Sequence, residues 1–231
     1  MEKLRKKYPG FFRYPNRPKV LKQAITEALG DPNGKRVLEV GGIDRPQLSK
    51  DQGYSYVGLD IESREGCYRC YDHFYVQSVE EDIPGGPYDL IISNAVLEHV
   101  PNNDASFRSM YNALKEGGRC VHYVPSKWHP YAICLRLVGP ERQKRLVKAL
   151  RPYALDTTGY PAFFHHCSIP GMRRLAKHHG FKNIRFTRFY RGNDYFAFFL
   201  PAFLAITSLE NLASRSGTDA MASGFVITME K

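Results

Sequence analysis

The sequence predicts an α/β fold: seven short strands in one mostly parallel sheet, helices on both faces, and a small cap built from late insertions. Three observations carry this. Short apolar runs of strand length alternate with helical stretches over the first half of the 231 residues. A glycine pair, Gly41-Gly42, follows directly on the first run. The alternation breaks after Val124 and resumes near Gly171.

Residues 1–18 are basic, aromatic and proline-containing, which predicts an irregular arm. A helix over Lys19–Leu29 follows, its apolar positions Val20, Ala24, Ile25, Ala28 and Leu29 recurring at helical spacing. Gly30-Asp31-Pro32-Asn33-Gly34 stops it. Strands are predicted over Val37–Val40, Tyr54–Leu59, Phe74–Ser78 and Tyr88–Ser93. A helix over Asn103–Leu114 comes next, capped by Asn102 or Asn103. Gly117-Gly118 reads as a turn ahead of a fifth strand, Arg119–Val124. From 125 to 170 no strand is predicted, only an amphipathic stretch over Tyr131–Leu150. The pattern resumes with a helix over Gly171–His179, Gly180 as its C-cap, and a strand over Asn183–Phe189. An apolar excursion, Tyr195–Leu212, precedes the last strand, Gly224–Met229. The predicted organisation is therefore an arm and helix over 1–34 and a main domain over 35–231, with cap insertions at 125–170 and 190–222.

The net charge is +10 and unevenly placed. Cations crowd the N-terminus from Lys3 to Lys22, the stretch from Arg136 to Arg151, and the stretch from Arg173 to Arg191, while Asp60 to Asp104 is acidic. Such asymmetry suits an anionic partner: a nucleic acid, a membrane surface or a phosphorylated substrate. Three solvated helix faces would look the same. The five cysteines form no regular framework, and Cys67-x-x-Cys70 lacks partners for a four-ligand metal site, so no metal is assigned and reduced thiols are expected. The basic N-terminus leads into Tyr8-Pro9-Gly10 rather than an apolar run, so no signal peptide is read. The expected location is cytoplasmic, with peripheral membrane contact.

Strand, glycine turn and helix form the entry to a nucleotide-binding crevice, because glycine lets the backbone turn tightly and approach a ligand. Glu39 lies two residues before Gly41. Asp60 ends the second strand about twenty residues on, where an acid accepts hydrogen bonds from ribose hydroxyls. Taken singly, the glycine pair is a turn and Asp60 a strand-end carboxylate. A dinucleotide reading expects G-x-G-x-x-G. Gly41-Gly42-Ile43-Asp44-Arg45-Pro46 lacks the later glycines, and Asp44 would oppose a pyrophosphate.

Leu38-Glu39-Val40-Gly41-Gly42, Gly58-Leu59-Asp60-Ile61, Tyr88-Asp89-Leu90-Ile91-Ile92-Ser93-Asn94 with Leu97-Glu98-His99-Val100, and Leu114-Lys115-Glu116-Gly117-Gly118 together resemble the motifs of class I S-adenosylmethionine-dependent methyltransferases, in particular the small-molecule branch. The resemblance covers residues 35–125 and implies a Rossmann-like sheet with S-adenosyl-L-methionine as cofactor. It implies that Glu39 and the Gly41-Gly42 backbone hold the methionine end, that Asp60 binds the ribose, that Ile61 packs on adenine, and that Asn94 lines the cleft near the sulfonium. His99 would touch the cofactor or pack. Two departures stand out. Ile43 occupies the place of the second glycine, and Arg45 offers a charged contact instead. After the third strand, Gln77–Asp82 holds several adenine-side candidates, Ser78 among them, without fixing the register.

Methyl transfer from a sulfonium to oxygen needs an oriented acceptor and a group to take its proton. His165 and His166 are the candidate bases, with His122, Tyr123 and His129 as weaker ones. A helix-entry element is the plain alternative for the histidine pair. The apolar Trp128–Val138, the basic Glu141–Arg151 and the apolar Tyr195–Leu204 have the composition of a cap or an interfacial element. The last of them also suits a core or dimer-forming hairpin, hence a homodimer. There is a loose similarity to methyltransferases of cell-surface sugars or lipid-linked precursors. The expected function is O-methylation of a small-molecule, sugar or lipid-linked acceptor. The alternatives are RNA methylation, a weaker fit because no RNA-binding motif or D/N-P-P-Y/F sequence is present, and a non-catalytic membrane-associated scaffold.

Overall fold

The computed structural model describes residues 6–12, 15–138, 142 and 160–231. Its elements run α1 (Arg17–Leu29), β1 (Arg36–Val40), β2 (Ser55–Asp60), α2 (Cys67–Cys70), β3 (His73–Val76), β4 (Tyr88–Asn94), α3 (Asn103–Ala113), β5 (Leu114–Pro125), α4 (Pro130–Val138), α5 (Ile169–His178), β6 (Lys182–Phe189), α6 (Leu200–Ser216) and β7 (Gly224–Glu230). Short 3-10 turns occupy Leu97–His99 and Asn193–Phe196.

The seven strands form one sheet in the order β3-β2-β1-β4-β5-β7-β6. β1 to β5 pair in parallel, and β7 runs antiparallel between β5 and β6. Successive side chains on the central strands alternate faces, as a sheet covered on both sides requires. Val37, Leu90 and Val121 meet Leu21, Ile25 and Leu29 of α1 on one face. Leu38, Ile91 and Cys120 meet Phe107 and Met110 of α3 and Met172 and Leu175 of α5 on the other. Each such fully buried aliphatic or aromatic side chain contributes about 1.5–3 kcal/mol relative to exposure.

Local chemistry sets the ends. α1 starts at Arg17, two residues before the expected point, because the Asn16 side chain accepts the Lys19 N–H at 3.1 Å and Pro18 fits the first turn. Asn102 caps α3 by accepting the Asp104 and Ala105 N–H groups. At the end of α5, His179 is the cap and Gly180 follows it at φ 91°, with Phe181 N–H donating to Ala176 O at 2.9 Å.

Four expectations need correction. β3 ends at Val76, because the chain turns so that Gln77 N–H meets Asp60 O. β5 begins at Leu114, and Gly117-Gly118 lies inside it as an irregularity between the Tyr88–Leu114 and Leu90–Arg119 pairs. The excursion from Tyr195 is a 3-10 turn and a long helix rather than a hairpin. The amphipathic stretch is helical over Pro130–Val138; its basic continuation to Arg151, Arg142 excepted, lies outside the described residues, as do residues 1–5 and 13–14 of the arm. Among the described residues no helix is long and apolar enough to cross a membrane.

Candidate functional site

The strand order reverses between β1 and β4, which opens a crevice at their C-terminal ends. Gly41, Asp60 and Asn94 all stand at that edge, at or just past the ends of β1, β2 and β4. Gly41 takes φ 79°, and a Cβ there would collide with Val96. A Cβ on Gly42 would strike Tyr71 and the Glu39 carboxyl. Both glycines are thus demanded by the protein's own packing. Ile43 sits at φ 45°, the left-handed region that disfavours a β-branched side chain.

Glu39 is 1% exposed. It accepts the Gln47 N–H at 3.0 Å and the hydroxyls of Tyr56 and Tyr71, the latter at 3.3 Å. Burial pushes its carboxyl up to about 7, against the lowering effect of these donors. Burial, then the field of Glu39, raises both phenols, so they remain protonated donors. Gln47 in turn accepts from Asn94 Nδ2 at 3.3 Å. Glu39 therefore ties the glycine loop to β1, and Gln47 carries the tie across to β4. Gln47, Tyr56 and Tyr71 were not among the sequence candidates.

Asp60 is raised from the ordinary carboxylate range, chiefly by burial, and accepts the Glu62 N–H at 3.2 Å. A carboxylate has about four acceptor positions, so it retains capacity for a diol. Ile61 beside it is 60% exposed. An acid with spare acceptors next to a bare apolar side chain fits a nucleoside of ribose and aromatic base. Ser78 is turned to Glu80, accepting its N–H at 3.2 Å, while Glu80 accepts the Asn102 N–H at 2.8 Å. Arg45 N–H closes the loop onto Gly42 O at 2.8 Å, and its guanidinium lies 3.9 Å from Asp44.

The turn that leaves β4 is packed by distant segments. Glu98, in the turn after β4, is 5% exposed. Its Oε1 lies 3.7 Å from His99 Nε2, and its buried Oε2 has no hydrogen-bond partner. Burial pushes this carboxyl up to about 7, opposed by His99 and by Arg17. Arg17, from the start of α1, lies over the buried Tyr123 ring at 4.6 Å. The fields of Tyr123, Tyr131 and Cys167 also meet that of Glu98. The Phe163 and Phe164 N–H groups donate to Glu98 O at 2.8 and 2.9 Å, and His99 Nδ1 donates to Pro161 O at 3.0 Å. The 160–168 segment is thereby fastened over the turn.

His165 and His166 lie in that segment with rings 4.2 Å apart. His165 Nδ1 accepts the Asn103 N–H at 3.0 Å, at the start of α3. His166 stands at φ 57°, and burial, then His165, lowers its pKa. His122 is fully buried in β5, bonded to Ser93 at 2.8 Å, and pushed down to about 3 by burial. His129 is fully buried against Glu210 at 3.0 Å.

A family profile described as a methyltransferase domain matches residues 13–185. Over 137 residues the chain is 29% identical to a protein of Sodalis glossinidius named ubiquinone biosynthesis O-methyltransferase, covering 53% of this chain and 54% of that one. The chain thus spans about half the length of this curated relative. A solved S-adenosylmethionine-dependent methyltransferase from Mesorhizobium loti superposes with a TM-score of 0.58 at 18% identity, covering 90% of this chain and 96% of that one. Another from Archaeoglobus fulgidus gives a TM-score of 0.58 at 13% identity, covering 99% and 98%. At such identities these two structures establish the shared fold.

Proposed function

The chain belongs to the class I S-adenosylmethionine-dependent methyltransferase family, and we propose that it methylates an oxygen of a small-molecule acceptor, such as a sugar or a lipid-linked precursor, with Glu98 taking the proton. One observation carries this reading: Glu98 is a buried carboxylate with an orphan oxygen at the exit of β4. An unmade hydrogen bond on a buried polar atom costs about 1–3 kcal/mol. The interior Glu210 keeps such an oxygen too, so it is the orphan oxygen together with its place in the turn that leaves β4 that supports the role of Glu98. The name of the Sodalis glossinidius relative supports an oxygen acceptor.

S-adenosylmethionine supplies a methyl group already activated on a sulfonium. Asp60 would accept the ribose hydroxyls, Ile61 would cover the adenine, the loop held by Glu39 and Gln47 would present backbone groups to the methionine end, and Asn94 would line the cleft beside them. On the facing side, Glu98 accepts the acceptor's hydroxyl proton, and His99, held by Pro161 O, fixes the carboxylate from one side. A carboxyl raised to about 7 is partly ionised at neutral pH and close in proton affinity to the task. The His165–His166 pair is the second reading, on one observation: the lowered pKa of His166 leaves a neutral ring able to accept a proton.

Incubation with methyl-labelled donor and a panel of hydroxylated aromatics, sugars and prenylated phenols tests the proposal. The expected product is a methyl ether, formed at a rate that rises through pH 7. Glu98→Gln removes that dependence, while His166→Ala keeps it. Exclusive methylation of nitrogen or of RNA, or loss of the pH limb only in His166→Ala, would overturn the assignment.

A further inference from the structure

We propose that α6 and the segments beside it form a docking face for an anionic lipid surface. The inference goes beyond the transfer reaction and does not depend on the acceptor.

The inner side of α6 is fixed by buried polar bonds. Glu210 meets His129 at 3.0 Å, and Asn193 Nδ2 donates to Thr207 Oγ1 at 2.7 Å, all four residues being fully buried. Phe203 is buried on the same side and stacks on Phe12 of the arm, with centroids 5.8 Å apart. Turning the helix to bury its other side would break this set. The outer side carries Leu204, Leu209 and Leu212, the last 65% exposed, and is preceded by Phe198 at 69% and Phe199 at 54%. Spacings of five and three residues spread these leucines over the side of α6 away from Phe203, Thr207 and Glu210. A contiguous exposed apolar patch marks a surface that something covers.

Charge selects the occupant. From Tyr195 to Ser216 the one acid is Glu210, turned inward to His129, so the outer side bears none. Asp194 and Asp219, at its two ends, are each paired with an arginine, Arg191 and Arg188, and further cations lie on the neighbouring segments. Arg215 lies in the last turn of α6. Lys7 lies on the arm, whose Phe11 O accepts from Asn211 Nδ2 at 2.9 Å. At the other end Tyr195 stacks on Tyr131 of α4 at 4.3 Å. There Lys127 and Arg136 sit 5.2 and 5.7 Å from the half-exposed Trp128 ring. A second copy of the chain, joined through this face by a twofold axis, would set these cations against their own kind. Anionic headgroups neutralise them, while the acyl boundary takes the phenylalanine and leucine side chains and Trp128 sits at the interface.

Vesicle sedimentation tests this, using phosphatidylcholine with and without phosphatidylglycerol. The full chain should pellet with the anionic vesicles and be released by salt. Leu204→Glu with Leu212→Glu should weaken pelleting at least about tenfold with an unchanged thermal melt, since burying a charge in the acyl boundary is strongly opposed. Should that pair fail to fold, Phe198→Ser gives the same reading at a more exposed position. Equal pelleting of the folded variants, equal affinity for uncharged vesicles, or a dimer that these substitutions dissociate in the absence of vesicle binding would overturn the proposal.

Discussion

On the proposed donor side of the crevice Glu39 is buried with both oxygens bonded; on the proposed acceptor side Glu98 is buried with one oxygen bonded to nothing. Burial raises both carboxyls to about 7, yet their surroundings differ in kind. Around Glu39, two phenols and a backbone N–H saturate the carboxylate, which makes it a fastener for the glycine loop. Around Glu98, Arg17, His99 and the tyrosines come from four separated parts of the chain and leave an acceptor position vacant. The difference teaches that a raised pKa alone does not mark the reacting group. Both oxygens of Glu39 are taken up by the protein's own donors, whereas Glu98 and the interior Glu210 each keep one buried oxygen unbonded, so its place at the end of β4, together with the orphan oxygen, is what sets Glu98 apart.

The sharpest way to break this contrast is the pair of isosteric substitutions. Glu98→Gln should lower kcat by about 10²–10⁴-fold, the span of a lost general base, and leave donor affinity within about twofold. Glu39→Gln should instead weaken donor binding, because the loop loses its tie, and alter kcat at saturating donor far less. Steady-state kinetics with the donor varied would show the split, and an equal effect of both substitutions on kcat would erase the distinction.

Stability against pH gives a second, smaller effect. A carboxyl at 4.5 in the unfolded chain and about 7 in the fold holds its proton in the folded state alone between those values. The unfolded chain therefore binds fewer protons there, and stability falls as pH rises through that window. Each group contributes up to about 3 kcal/mol of stability at pH 4.5 that is lost by pH 7. Urea melts across pH 5–7.5 should show this slope, reduced in either Gln variant. A slope unchanged in both would contradict the burial argument.

The smallest effect concerns Ile43, held at φ 45°. Asn tolerates that region, so Ile43→Asn should raise stability by up to about 1 kcal/mol, read as a small rise in Tm. A loss of more than that would mean that packing of the Ile43 side chain outweighs its backbone strain.

The two sides also differed in how far the sequence exposed them. Gly41-Gly42, Asp60 and Asn94 stand within contiguous motifs at strand ends, so their convergence follows from strand order once the sheet is recognised. Ile43 was visible as a departure, though its left-handed backbone was not. Tyr56 and Tyr71 could not be foreseen as partners of Glu39, because that pairing depends on the depth of β2 and on the turn after α2. Glu98 stands in the sequence as a motif letter, while residue type and a place after β5, ahead of the helix start at Ser168-Ile169-Pro170, point to His165 and His166 as bases. The local signal for Glu98 is a lone acid within the largely apolar Ala95–Val100 run. The same signal, a single acid in an apolar stretch, also singles out Glu210, whose partner His129 lies 81 positions away. Such pairs arise from tertiary packing, which local periodicity does not encode.

Titration calorimetry with S-adenosylhomocysteine tests the division between the two sides most directly. The wild type and Glu98→Gln should bind at one site with matching affinity, whereas Asp60→Asn should lose about 10–100-fold, the worth of charge-assisted hydrogen bonds to the ribose. An absence of binding in the wild type, or equal losses in Glu98→Gln and Asp60→Asn, would contradict it.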